Sequence, residues 1–193
     1  MAFALFALVA LAALPWLATP YMVDLTTKIM IMAIFALSLE LLVGGTGLVS
    51  FGHAAFFGLG GYVIGVVAFH TADGSGILGW QGSREALVLW PLAMAICALA
   101  GLVTGFLSLR TSGVQFIMIT LAFGQMFYFI LVGLMYYGGD DGLAIEARNT
   151  LPGIDLRHAT TYYYLCVGLL VAWILLCRRI VGSRFGMALR SLK

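Results

Sequence analysis

Six long apolar runs divide this chain, each close to the ~20 residues that a helix needs to cross a bilayer. They cover about 2–17, 26–43, 51–69, 86–109, 114–137 and 161–177. Polar and turn-forming residues gather between the runs, and Glu40 is the one acid inside them. The first run ends near Pro15 and Pro20. It has neither a basic leading segment nor a clear small-residue cleavage site, so it reads as a span and not as a signal peptide. The pattern predicts an all-α fold, a polytopic transmembrane helical bundle of about six membrane-crossing helices. Residues 1–193 form a single membrane domain in this reading, with no soluble domain, long linker or internal repeat.

Composition removes the competing classes. The chain of 193 residues is 63% hydrophobic and 9% charged, with a mean hydropathy of +1.07. Soluble domains are about 45–50% apolar and about 25% charged, so a globule of this size could not hide the apolar surface and lipid must be the solvent. A net charge of +2, with no basic patch interleaved with aromatics, gives no sign of a nucleic-acid partner. Cys97, Cys166 and Cys177 lie in apolar runs without metal-ligand spacing, and read as small buried hydrophobes. His70 and His158 have no nearby Cys or His partner in sequence, so no metal site is expected.

Orientation follows from Lys and Arg. Arg178, Arg179, Arg184, Arg190 and Lys193 cluster after the sixth run, and Arg110 falls on the same side. Seven of the eight acids fall on the other: Asp24, Asp73, Glu85, Asp140, Asp141, Glu146 and Asp155. Both termini are therefore expected in the cytoplasm.

Residues 26–70 hold the most unusual stretch. Its two runs are joined by Gly44-Gly45-Thr46-Gly47-Leu48-Val49-Ser50, which carries no charge. Glycine permits tight turns, and irregular backbone at membrane depth is tolerated only where protein or a wet cavity covers it. Interrupted helices of this kind flank transport sites, although an ordinary short turn at the membrane face explains the stretch equally well. Ser50 is the expected N-cap of the next helix, with His53 at its third position. An ionisable residue inside a span is usually paired, so Glu40 and His53 are expected to lie close together. The glycine pairs Gly61/Gly65 and Gly101/Gly105 have the spacing that lets helices approach. Thr120 and Gln125 are candidates for hydrogen bonds between helices. The glycines do not have dinucleotide-binding spacing, and no phosphate-cradling loop or nucleophile–base set is present.

Ala36-Leu37-Ser38-Leu39-Glu40-Leu41-Leu42-Val43-Gly44 leads into Gly47-Leu48-Val49-Ser50-Phe51-Gly52-His53-Ala54-Ala55-Phe56-Phe57-Gly58-Leu59-Gly60-Gly61-Tyr62. Thr111 to Phe123, with Gly113 and Thr120-Leu121-Ala122-Phe123, and Gly138-Gly139-Asp140-Asp141-Gly142-Leu143 follow in order. Together these resemble the permease subunits of branched-chain amino-acid ABC importers, a family to which urea and amide permeases are related. The resemblance implies import of leucine, isoleucine and valine. It implies a pathway lined by Glu40, Ser50, Gly52, His53, Phe56, Phe57, Gly60, Gly61 and Tyr62, and a contact with the ATPase subunit at Arg184, Gly186 and Arg190. Positive-inside anchoring alone also accounts for those arginines.

The implied partners are a second, non-identical permease subunit, two ATP-binding subunits and an extracytoplasmic substrate-binding protein, in a bacterial inner membrane. ATP would be used by the partner subunits, and no cofactor would be bound by this chain, which is a transport subunit and not an enzyme. Two departures stand out: Glu40 occupies a position where such permeases usually carry Asn, and the later spans are missing, so the chain is expected to be an N-terminal portion. The alternatives are a urea or short-amide permease, an ion-coupled secondary transporter with Glu40 as the coupling group, or a non-transporting membrane scaffold.

Overall fold

The structure, a computed structural model, describes residues 11–74, 85–143, 145, 148–153, 155, 156, 158–184, 186 and 187. Five long helices dominate: α1 (Pro20–Thr46), α2 (His53–Asp73), α3 (Ala86–Ser108), α4 (Val114–Val132) and α5 (Ala159–Val181). Two 3-10 turns, Met135–Tyr137 and Gly139–Asp141, follow α4. All five helices are long and apolar enough to cross a membrane. Their 19 to 27 residues correspond to about 28–40 Å at 1.5 Å per residue, against about 30 Å of hydrocarbon. The described residues include one isolated parallel bridge, Glu85 with Thr150, and no strand. This is an all-α polytopic membrane protein, as the apolar runs predicted. Of the first predicted span, residues 11–17 are helical and the remainder lies outside the described residues.

Helix ends differ from the predicted ones for local reasons. α1 begins at Pro20, six residues before the apolar run. Proline at the first helical position has its φ preset and lacks only an N–H that would be unpaired there. Thr26 and Thr27 return their hydroxyls to the carbonyls of Met22 and Val23, at 2.8 and 2.7 Å, and so sit in the helix with their hydroxyls paired. α1 then runs through Gly44 and Gly45 and stops at Gly47, which takes φ 73° and sends its N–H to the Val43 carbonyl. The N-cap of α2 is Gly52 and not Ser50, and no side chain caps it. α4 stops at Val132 and not near 137, because Leu134 leaves helical geometry (ψ 72°) and the next three residues tighten into a 3-10 turn.

The chain forms two compact units, one of Met1–Gly47 with Ile154–Lys193 and one of Leu48–Gly153. In the first, Val23 and Met30 of α1 pack against Tyr163, Cys166, Val167 and Leu170 of α5. Tyr163 is fully buried, and its hydroxyl donates to the Leu11 carbonyl at 2.6 Å. Early residues of α1 meet early residues of α5, and late ones (Leu37, Leu41) meet Cys177 and Val181. The two helices are therefore parallel, as they must be if three further spans separate them.

In the second unit, α2 and α4 are parallel and α3 runs against both. The Tyr62 hydroxyl donates to the Leu131 carbonyl at 3.2 Å, while Phe56 meets Cys97 and Gly101 of α3. Much of the apolar surface stays uncovered: Met94, Leu102 and Phe106, at helical spacing on α3, are 65–71% exposed. Lipid or other protein must cover such a stripe.

Candidate functional site

The predicted pathway residues of the second unit cluster at the start of α2, where glycines decide the packing. Gly52 is buried against α4; a Cβ there would lie 2.5 Å from the Thr120 carbonyl oxygen. Gly124 faces it, with its Cβ position 3.5 Å from the Gly52 Cα. The Phe51 N–H donates to the Thr120 hydroxyl at 3.3 Å, and that hydroxyl donates to the Ile117 carbonyl at 2.9 Å. Thr120 therefore ties α4 to the segment that leads into α2, and not to a second helix as its place in an apolar run suggested. Phe56 stacks at a tilt on Phe127, ring centroids 6.2 Å apart, and its carbonyl accepts the Cys97 thiol. Gly60 clears room for Cys97, whose sulfur is 3.4 Å from the Cβ position. Gly61 and Gly105 have nothing within 4 Å of theirs, so the close approach of α2 and α3 rests on Gly60 and Gly101.

The structure thus brings Gly52, Phe56, Gly60 and Tyr62 into helix packing. Ser50 and His53 are half-buried, Phe57 is half-exposed and Gly61 is exposed. Beside them a cavity of about 360 Å³ opens between α2 and α4. Its walls include Phe51 just before α2, Ala54, Ala55 and Gly58 on α2, and Gln125 and Tyr128 on α4. The sequence reading passed over Ala54, Ala55 and Gly58, although Gly58 lies one turn from Tyr62 of the predicted set. Small residues at 54 and 55, four and three positions before Gly58, were the available signal.

Glu40 belongs to the first unit and His53 to the second, and each is described within its own. Glu40 lines a cavity of about 230 Å³ with Leu37, Leu41, Gly44, Gly45, Cys177 and Val181. Beyond α5, Arg184 is exposed and Gly186 is buried, a Cβ on it lying 2.5 Å from the carbonyls of Ile180 and Val181. Only glycine lets the chain fold so tightly over the helix end, where Ser183 accepts the Gly186 N–H at 3.3 Å. Arg190 lies outside the described residues.

At the far end of α2, His70 is buried, with Nε2 2.9 Å from the Tyr137 hydroxyl and its ring among Phe69, Tyr136 and Tyr137. The glycine motif after α4 folds here. Gly138, Gly139 and Gly142 take φ of 96°, 52° and 77°, which only glycine adopts cheaply. Gly65 gives Leu143 a seat on α2. Among the described residues no three His, Cys, Asp or Glu side chains gather as a metal site would require.

Residues 21–193 match the family described as the permease component of branched-chain amino acid transport systems. The chain is 29% identical over 154 residues to the high-affinity branched-chain amino acid transport system permease protein LivM of Salmonella typhimurium, covering 79% of this chain and 34% of that protein. It is also 29% identical over 149 residues to the LivM protein of Escherichia coli, covering 77% and 32%. The chain therefore spans about a third of the length of these curated relatives. No solved structure matches it.

Proposed function

Because this chain belongs to the family of permease components of branched-chain amino acid transport systems, we propose that it carries leucine, isoleucine and valine across the membrane as the transmembrane subunit of an ATP-driven importer. The match over residues 21–193 carries this reading, and five helices able to span a membrane agree with it. The work divides among subunits. A second permease subunit completes the pathway, two ATP-binding subunits supply energy from outside this chain, and a binding protein delivers the amino acid. In this reading the membrane is the bacterial inner membrane, with both termini in the cytoplasm. This chain binds no cofactor and catalyses no reaction of its own.

Glu40, Ser50, Gly52, His53, Phe56, Phe57, Gly60, Gly61 and Tyr62 mark the proposed pathway. Their parts differ. The packed residues Gly52, Phe56, Gly60 and Tyr62 hold α2 in register with α3 and α4. Gly61 and Phe57 offer exposed surface on α2. Arg184, Gly186 and Arg190 mark the proposed contact with an ATP-binding subunit, where the tight turn at Gly186 fixes how the segment leaves α5.

The test is uptake of labelled leucine and labelled urea by cells with and without the intact gene. Loss of leucine uptake on deletion, with competition by isoleucine and valine, supports the reading. Lost urea uptake with unchanged leucine uptake moves the assignment to an amide permease. Leucine uptake that survives loss of the ATPase but collapses with the ion gradient assigns an ion-coupled transporter instead.

A further inference from the structure

Glu40 sits six residues before the end of the 27-residue apolar helix α1, roughly 9 Å along its axis from Thr46. A charge at such depth is costly and normally paired. Among the described residues Glu40 has neither an ion pair nor a hydrogen bond. Its carboxylate folds along its own helix, with Oε1 2.8 Å from where a Cβ on Gly44 would be. Gly44 thereby makes the room that the carboxylate occupies, and Gly45 leaves open space beside it. The result is an open cavity of about 230 Å³, bordered on one side by Cys177 and Val181 of α5, at which Glu40 is exposed.

Besides the Glu40 carboxylate, the helix ends at this cavity favour a cation. α1 and α5 are parallel, so two helix C-termini with their partial negative charge lie at this end. α1 has no basic residue in its last turn. Arg178 and Arg179 close α5 but are exposed and do not pair with Glu40. A cation therefore suits the site, and the walls select its kind. A bare metal ion wants several oxygen ligands, whereas here one carboxylate faces Leu37, Leu41, Val181 and a thiol. A primary ammonium group has three donors and can place one or two on the carboxylate while the rest reach water at the open side, and an aliphatic chain attached to it finds the leucines and valine.

We infer that the cavity at Glu40, Gly44 and Cys177 binds a primary ammonium group with a short aliphatic chain, and that the transported amino acid enters it by its amine. The second half of this inference rests on the proposed function; the first half does not. Cys177, in the wall, reports occupancy. In the complete transporter carrying Cys97→Ala and Cys166→Ala, the rate of Cys177 alkylation by N-ethylmaleimide is read by mass spectrometry of the peptide that holds it.

Added 3-methylbutylamine is expected to slow alkylation several-fold, and 4-methylpentanoate, which has a similar chain without the amine, to leave it unchanged. Glu40→Gln should abolish the protection. Gly44→Ala, which keeps the charge but takes its room, should weaken it. Protection that is equal in Glu40→Gln, or no protection by the amine, overturns the site; protection by sodium ions alone overturns the ammonium assignment. In uptake, Glu40→Gln should raise the KM for leucine at least about tenfold, the least expected from losing a charge-assisted hydrogen bond. Glu40-dependent protection without any leucine uptake in the wild type would defeat the proposed function and leave the ammonium site standing. Leucine uptake without protection would do the reverse.

Discussion

Replacing Gly52 by Ala is the sharpest test of how α2 meets α4. The new Cβ would lie 2.5 Å from the Thr120 carbonyl oxygen and 3.2 Å from its carbon. A carbon–oxygen approach settles at about 3.3–3.6 Å, so the shortfall is about 0.8 Å. The obstacle is backbone inside a helix and cannot swing aside. The helices must separate, and the Phe51 N–H to Thr120 hydroxyl bond, already 3.3 Å long, then breaks. Overpacking costs about 1–3 kcal/mol and the hydrogen bond about 0.5–1.5 kcal/mol. Alanine recovers about 0.4–1 kcal/mol by restricting the unfolded chain.

The net loss is about 1–4 kcal/mol, and each kcal/mol lowers Tm by about 2–4 °C in a chain of this size. Gly61→Ala is the control, since nothing lies within 4 Å of its Cβ position and a mid-helix alanine should gain up to about 1 kcal/mol. Thermal unfolding of the purified protein in detergent, followed by tryptophan fluorescence, compares the two. If Gly52→Ala melts with the wild type, or both variants shift alike, the close crossing at Thr120 is not what holds α2.

Tyr163→Phe removes the hydroxyl that pairs with the Leu11 carbonyl at 2.6 Å and should cost about 0.5–1.5 kcal/mol, read by the same melting experiment. Gly65→Val should unseat Leu143 and cost about 1–3 kcal/mol by overpacking; faster proteolysis after residue 138 would report it, and unchanged proteolysis would count against the seat. Gly113→Ala places a side chain at φ 61°, ψ −133°, a region costing about 1–3 kcal/mol for such residues. Its drop in Tm should exceed that of Gly105→Ala, whose Cβ position is equally open but whose backbone is helical.

The sequence by itself determined the class of this protein. Runs of apolar residues near the length of a bilayer have few stable outcomes besides spanning helices, because backbone groups in lipid must pair within their own segment. It also marked Thr120 as special, since a hydroxyl in an apolar run needs a partner, and Gly138–Leu143 through its resemblance to the family's glycine motif. Tertiary structure decided which glycines matter. Gly60 and Gly61 are adjacent and chemically identical, yet one meets Cys97 and the other open space, because a step of one residue turns the chain by about 100° around a helix of 3.6 residues per turn.

The same holds for the cavities. The motif named His53, Phe56, Phe57, Gly60, Gly61 and Tyr62 on several faces of α2, while the cavity opens along Ala54, Ala55 and Gly58. Every face of a membrane helix is apolar, so composition does not say which one meets protein and which meets lipid. Glu40 was conspicuous as a charge in sequence. Its room beneath Gly44 and its thiol neighbour from a helix more than a hundred residues later could come only from the packing of α1 on α5.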